Sequence, residues 1–196
     1  MYQRKYFFPT FDVLEPMIST RTLYYQDRFY EKAIEQLNQI KKDERPLEEM
    51  AIHIDEYPLE DRGMLLYLAG RILNHELYFN SIGKNNHMPV GKLKEKIIET
   101  YGSYEQFIEE FKRKSFHLVG SGYTFLVMDR EGNLKIVNMP NEETPYLYGM
   151  IPIMALDLWE HSYYLDSQDR MIEYIDAFFE VIDYEKINDR YEKNIL

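Results

Sequence analysis

The chain has 196 residues, of which 45% are hydrophobic, and this is enough to bury a substantial core. Its net charge of −11 argues against nucleic acid as a partner, because binding to phosphates requires a basic face. The absence of cysteine excludes disulfides and thiolate metal sites. The N-terminal apolar stretch is too short for a signal peptide or a membrane span, so we expect a cytoplasmic protein without a membrane partner.

The first half of the chain predicts two long helices. Ser19 or Thr20 is a suitable N-cap for the first, and the polar residues 41–46 end it. The second is expected over residues 59–80, with Gly83 as the stop signal. Each has one apolar face at helical spacing, and the two helices can therefore pack as an antiparallel hairpin. These faces are Leu23, Tyr30, Ala33, Ile34, Leu37 and Ile40 in the first helix, and Leu65, Leu68, Ile72, His75 and Phe79 in the second.

The second half, after a predicted linker over residues 82–89, predicts helices around a small sheet. A helix is expected over residues 90–101, and Ser103 with Gln106 has the capping-box pattern of another that reaches Ser115. The strands are expected at residues 123–128, 134–139 and 151–158, with a turn over 129–133. Residues 160–196 are expected to be mostly helical, with an apolar face of Tyr174, Phe178, Val181 and Ile182.

The order of these elements predicts an α+β fold. We expect an N-terminal helical-hairpin domain over residues 1–86. A C-terminal α+β domain is expected over residues 87–196.

The most informative motif lies where the third strand ends. Asp157 closes the apolar strand, and His161 follows four residues later, with Trp159 between them. A carboxylate and an imidazole at this place suit Fe or Mn, which accept mixed oxygen and nitrogen ligands. On spacing alone, a strand cap followed by a core histidine is an equally good interpretation.

Several motifs, in the same order, resemble the iron/manganese superoxide dismutase family. Residues 157–164 read D-x-W-E-H-x-Y-Y, which is similar to the family signature, and residues 74–79 resemble the N-H-x-x-[FY]-[FW] stretch that carries the second-helix ligand. Further similar blocks lie at residues 8–16, 18–19, 102–104 and 120–127. The resemblance implies the family fold, a helical hairpin followed by a three-stranded antiparallel sheet with surrounding helices. It also implies His75, Asp157 and His161 as metal ligands.

The histidine ligand that the family carries in its first helix is absent. The family pattern there is I-S-x-x-T-x-x-[FY]-H, and residues 18–26 end in Gln26 where the histidine would stand. Alignment backward from Leu37 and Asn38 puts Tyr25 at that position instead. The gateway histidine and tyrosine of the family are also not preserved. Tyr30 is interpreted either as a displaced gateway hydroxyl or, in preference, as a core residue.

The glutamine that in the family hydrogen-bonds the metal-bound solvent is also replaced. Its two possible positions hold Arg71 and Glu142 in this chain. Because both positions lead to the same space in the family, we expect Arg71 and Glu142 to form an ion pair there, next to the metal ligands. Trp159 is expected to lie beside the ligands as well. Alternatively, Glu142 is itself a ligand, and two histidines with two carboxylates would be a credible Fe or Mn site.

Glu160 and Tyr164 hold positions that cross the subunit interface in the family, so the resemblance implies a two-fold homodimer. With the fourth ligand, the gateway and the glutamine all altered, we interpret the chain as a non-dismutase structural or binding paralogue with a degenerate site, either metal-free or holding Fe or Mn. The alternative is a metalloenzyme with a rebuilt Fe or Mn site that dismutates superoxide weakly or performs related oxygen chemistry. His53, His87 and His117 are expected in loops or at the surface, and no other protein partner is indicated.

Overall fold

Two long helices packed against each other form the N-terminal half of the computed structural model, which describes residues 1–84 and 87–195. They are α1 (Thr20–Ile40) and α3 (Leu59–Phe79). Ser19 is the N-cap of α1, and its hydroxyl accepts a hydrogen bond from the Thr22 amide at 3.1 Å. The predicted apolar stripes of both helices are buried against each other except for the partly exposed Ile40.

The connection between these helices contains structure that the sequence pattern did not predict. A short helix, α2 (Leu47–Ile52), is followed by a 3-10 turn over Ile54–Glu56. Leu47, Met50 and Ala51 are buried. Six residues are too few for a helical period to be visible in the sequence, so tertiary packing decides this element.

A three-stranded antiparallel sheet lies in the second half, as predicted. Its strands are β1 (Gly122–Met128), β2 (Leu134–Pro140) and β3 (Ile151–Asp157), in the spatial order β2-β1-β3. Every residue of the central strand β1 is buried. The register pairs Tyr123 with Asp157, and α3 packs against β3. The end of β3 therefore faces the C-terminal half of α3.

In the described part of the chain, five further helices surround the sheet. They are α4 (Gly91–Tyr101), α5 (Tyr104–Phe116), α6 (Glu160–Ser167), α7 (Met171–Val181) and α8 (Tyr184–Glu192). The C-terminal segment is broken at Gln168, whose φ is +51°, and at the extended Ile182, which forms an isolated bridge with Ile82. Its predicted apolar face is buried.

One continuous hydrophobic core includes residues from α1, α3, the sheet and α7. The division into two domains after residue 86 stays a prediction. The predicted linker, residues 82–89, includes residues 85 and 86, and the predicted C-terminal helical segment includes residue 196; these three lie outside the described residues. Among the helices that are described, none is long and apolar enough to cross a membrane.

Candidate metal centre

Three potential ligands from two parts of the fold converge at the end of β3. His75 lies on α3, Asp157 ends β3, and His161 lies in the first turn of α6. Their donor atoms all lie within 4.8 Å of one another. His75 Nε2 is 3.8 Å and His161 Nε2 is 3.2 Å from the same oxygen, Asp157 Oδ2. Donors that share a metal at about 2.1 Å are roughly 3.0–3.6 Å apart, so a small adjustment of His75 would suffice.

The hydrogen bonds of His75 leave the correct nitrogen free for a metal. Its Nδ1 lies 2.8 Å from the Arg71 carbonyl, which can only accept, so Nδ1 carries the proton. Nε2 is then the unprotonated atom, and it is buried without a hydrogen-bond partner. Burial lowers the pKa of His75 to about 4, which keeps the ring neutral at pH 7. Neutral imidazole is the form that binds metals.

Asp157 is held in position by its backbone surroundings. Its Oδ1 accepts from the Trp159 amide at 2.9 Å, which turns Oδ2 toward the two histidines. Burial alone would raise the pKa of Asp157, but the interactions with His161 and His75 outweigh it, and the pKa lies below its ordinary value. The centre therefore combines one carboxylate with two imidazoles, a donor set that suits Fe or Mn.

Arg71 and Glu142 meet beside this cluster, as the sequence predicted. Arg71 Nε donates to Glu142 Oε1 at 3.0 Å, and the Glu142 side chain is only 1% exposed. Gly70 makes the contact possible, since a Cβ there would lie 1.8 Å from the Glu142 carbonyl oxygen. Asn74 donates to the Glu143 carbonyl at 3.0 Å and fixes the same loop against α3.

Glu142 is partnered on one oxygen only. Burial raises its pKa to about 7, although the Arg71 guanidinium acts in the opposite direction. Its Oε2 is buried with no hydrogen-bond partner. Among the described residues, the converging metal donors are His75, Asp157 and His161, and Glu142 is not one of them. Direct ligation by Glu142 stays a prediction.

The structure distinguishes the two candidates for the missing first-helix ligand. Gln26 is fully buried, whereas Tyr25 is 44% exposed and lines a surface hollow beside His161. The burial of Gln26 favours the ungapped comparison with the family pattern, and the assignment of the ligand position stays a prediction.

Tyr30 is occupied elsewhere. Its hydroxyl donates to Glu76 at 2.8 Å and accepts from the Lys5 amide at 3.1 Å. The Phe79 ring packs against both Tyr30 and His75, at 5.9 and 5.7 Å between ring centroids. Core packing and a buried hydrogen-bond network account for Tyr30, in agreement with the preferred interpretation.

Aromatic rings enclose His161 and Arg71. Phe29 lies 4.8 Å and Trp159 lies 5.9 Å from the His161 ring, and the His75 ring stacks on it at 5.4 Å. The Arg71 guanidinium lies within 6.0 Å of Phe29, Tyr67 and Trp159. The indole of Trp159 also donates to the Asn141 carbonyl at 3.2 Å. Trp159 thus connects α6 with the loop that carries Glu142.

Sequence reasoning missed two neighbours of the centre. The Tyr123 hydroxyl lies 3.3 Å from His75 Nδ1, and the Tyr174 hydroxyl donates to the Asp157 carbonyl at 2.8 Å. Tyr123 could have been found, because a strand paired with β3 must put a side chain beside Asp157. Nothing local in the sequence indicates Tyr174.

Glu160 and Tyr164 lie on the outer side of α6. Both side chains are exposed and line the hollow beside His161, together with Arg21, Tyr25, Phe29 and Leu165. A second hollow, which also includes Glu160 and Tyr164, extends toward Phe116 and Ile172. This surface contains several exposed large apolar side chains, including Tyr164 at 53% and Ile172 at 56% exposure.

A family model matches residues 89–190, which are 102 of the 196 residues and so just over half of the chain. Its description is iron/manganese superoxide dismutases, C-terminal domain. The matched range includes Glu142, Asp157 and His161, whereas Arg71 and His75 precede it.

Proposed function

The chain belongs to the iron/manganese superoxide dismutase family, and from that premise we propose that it is a metal-binding paralogue without efficient dismutase activity. His75, Asp157 and His161 would hold iron or manganese. One observation supports this proposal above all others, the convergence of the orphaned, buried His75 Nε2 with Asp157 Oδ2 and His161 Nε2. A buried polar atom without a partner is costly, and a bound ion is a common explanation for one.

Bound iron or manganese would supply a one-electron redox couple. Dismutation requires neighbouring residues that set the redox potential of the metal and supply protons, and the residues around this site are not suited to either task. Arg71 and Glu142 are paired with each other, in the space where the family has a neutral glutamine. The Tyr30 hydroxyl is bonded to Glu76, and the apolar ring of Phe29 packs on His161, so neither of these two residues supplies a proton to the centre.

Metal content tests the first half of the proposal. Protein expressed with iron and manganese supplied should contain close to one metal ion per chain, measured by elemental mass spectrometry. His161→Ala should lose the metal, whereas His53→Ala should keep it. The side chain of His53 is 55% exposed, and His53 is not a member of the ligand cluster. Metal-free wild-type protein, or full metal content in His161→Ala, would refute the site.

A superoxide dismutase assay on the metal-loaded protein tests the second half. We expect activity near the rate without protein. Substantial turnover would instead favour the alternative, a rebuilt metalloenzyme that dismutates superoxide weakly. The specific observation in favour of that alternative is the surface hollow that reaches His161, because it gives small molecules a route to the centre.

We further propose a two-fold homodimer in which Glu160 and Tyr164 cross the interface. The exposed apolar side chains around these residues support the proposal, since a large exposed patch is typical of an interaction surface. Light scattering after size-exclusion chromatography should give twice the chain mass of 23.8 kDa. A monomer at micromolar concentration would contradict the proposal.

A further inference from the structure

We infer that the side-chain amide of Gln26 is the fourth protein donor of this metal centre, through its Oε1 atom. The inference rests on the proposed metal-binding function and deepens it. It depends on where α1 puts Gln26, on what the amide lacks, and on the direction of a hydrogen-bond chain.

The helical period places Gln26 against the cluster. Phe29 is three residues after Gln26 on α1, so the two side chains share one face of the helix. The Phe29 ring lies 4.8 Å from the ring of His161. Gln26 itself is fully buried, and Tyr78, its neighbour on α3, lies three residues after His75 on that helix. The amide is therefore enclosed between the elements that carry two of the three ligands.

This amide lacks the partners that a buried amide needs. Neither Oε1 nor Nε2 of Gln26 makes a hydrogen bond of normal geometry, and the side chain has no solvent exposure. A buried polar atom that loses its water without gaining a partner destabilises the folded protein. A fully buried glutamine whose amide has no partner requires an explanation, and a bound ion provides one.

A chain of hydroxyls determines which end of the amide is free. The Tyr174 hydroxyl lies 2.8 Å from the Asp157 carbonyl, which can only accept, so the single Tyr174 proton is used there. The Tyr78 hydroxyl, 3.2 Å from that of Tyr174, must then donate to it. The oxygen of the Tyr78 hydroxyl is then left able to accept from the Gln26 amide, which is its neighbour.

If Gln26 Nε2 turns toward Tyr78, Oε1 is left without a protein donor, and neither atom has a hydrogen-bond partner as the structure stands. A neutral amide oxygen is a hard ligand. With His75, Asp157 and His161 it completes a set of two nitrogens and two oxygens, which suits Mn or Fe. Tyr174 donates to the Asp157 carbonyl, so the same chain of hydroxyls links Gln26 to Asp157, which is another of the proposed ligands.

Manganese affinity tests the inference on the full-length chain, with a chromophoric chelator as competitor for Mn(II). Gln26→Leu keeps the approximate volume and removes the oxygen, and should weaken Mn(II) binding at least 10-fold. Gln26→Glu keeps the oxygen and adds charge, so it should bind at least as tightly as the wild type. Tyr25→Leu, on the exposed side of the same turn, should leave the affinity unchanged.

Absorption spectra of the Co(II)-loaded proteins add a readout of the ligand set, which should differ between wild type and Gln26→Leu. Equal Mn(II) affinity and identical Co(II) spectra for these two proteins would overturn the role of Gln26 while leaving the three-residue site intact. If Gln26→Leu does not fold, Gln26→Glu decides alone, and weaker binding than wild type overturns the inference. A wild type that binds no Mn(II) would overturn both this inference and the proposed function.

Discussion

Replacement of Arg71 by alanine should destabilise the metal-free protein by an amount that increases with pH. Arg71 holds the buried Glu142 carboxylate, whose pKa burial raises to about 7 even with the guanidinium present. Without Arg71, that pKa rises further, because the interaction that opposes the effect of burial is lost. At neutral pH the carboxyl of the variant is protonated in the folded state.

The sign and magnitude follow from the difference in proton binding. The unfolded chain has a Glu pKa of about 4.3, and each unit between pKa values corresponds to about 1.4 kcal/mol. Below pH 7 both folded proteins carry a protonated Glu142, so this residue contributes little to the difference. Above pH 7 the wild-type carboxyl is ionised and the variant carboxyl is not. The destabilisation should then grow by about 1.4 kcal/mol per pH unit until the variant's own pKa is reached.

Arg71 also packs among three aromatic rings, which adds about 1–2 kcal/mol at every pH. We therefore expect Arg71→Ala to cost about 1–2 kcal/mol at pH 6 and about 4 kcal/mol at pH 9. The higher value agrees with the range of about 3–5 kcal/mol for breaking a buried ion pair.

Urea unfolding at pH 6, 7, 8 and 9, in the presence of chelator, measures these differences. Glu142→Gln removes the ionisable group, so adding Arg71→Ala to it should cost the same at each pH. A cost of Arg71→Ala that is constant or falls between pH 6 and 9 would refute the claim that Arg71 keeps a buried Glu142 ionised.

The remaining predictions concern the metal, the core and the interface. His161→Ala should lose at least nine tenths of its metal by elemental analysis, with His53→Ala as the control; equal metal content in both would exclude the site. Tyr30→Phe should lower the free energy of unfolding by about 1–3 kcal/mol in urea, because the buried Glu76 carboxylate loses a hydrogen-bond donor, yet metal content should stay unchanged. A loss of metal in Tyr30→Phe would mean that Tyr30 serves the centre. Glu160→Ala should weaken the dimer at least 10-fold in analytical ultracentrifugation, and unchanged association would remove Glu160 from the interface.

Most of the fold was predictable from local patterns. Short-range sequence patterns predict three features of the fold correctly. These are Ser19 as N-cap, the apolar stripes of α1 and α3, and the turn between β1 and β2. The exceptions are α2, which is too short for its period to be recognised, and the breaks in the C-terminal helical segment. Gln168 illustrates the second case, since its φ of +51° is a conformation that glycine favours, and a glutamine there gives no signal of a break.

The sequence by itself determined that His75, Asp157 and His161 are candidate ligands, because residue type and order carry the resemblance to the family. The same resemblance implies that Arg71 and Glu142 stand where the family has a glutamine. The sequence left Tyr25 and Gln26 as equal alternatives, since adjacent helical residues differ by only about 100° in direction and a one-residue gap exchanges them.

Tertiary structure decided that Gln26 points inward, that Tyr30 bonds to Glu76, and that Tyr174 reaches Asp157. The physical reason is that each of these depends on the packing of elements far apart in the chain. Residue type specifies what an atom can bind, but only the packed backbone specifies what is within reach.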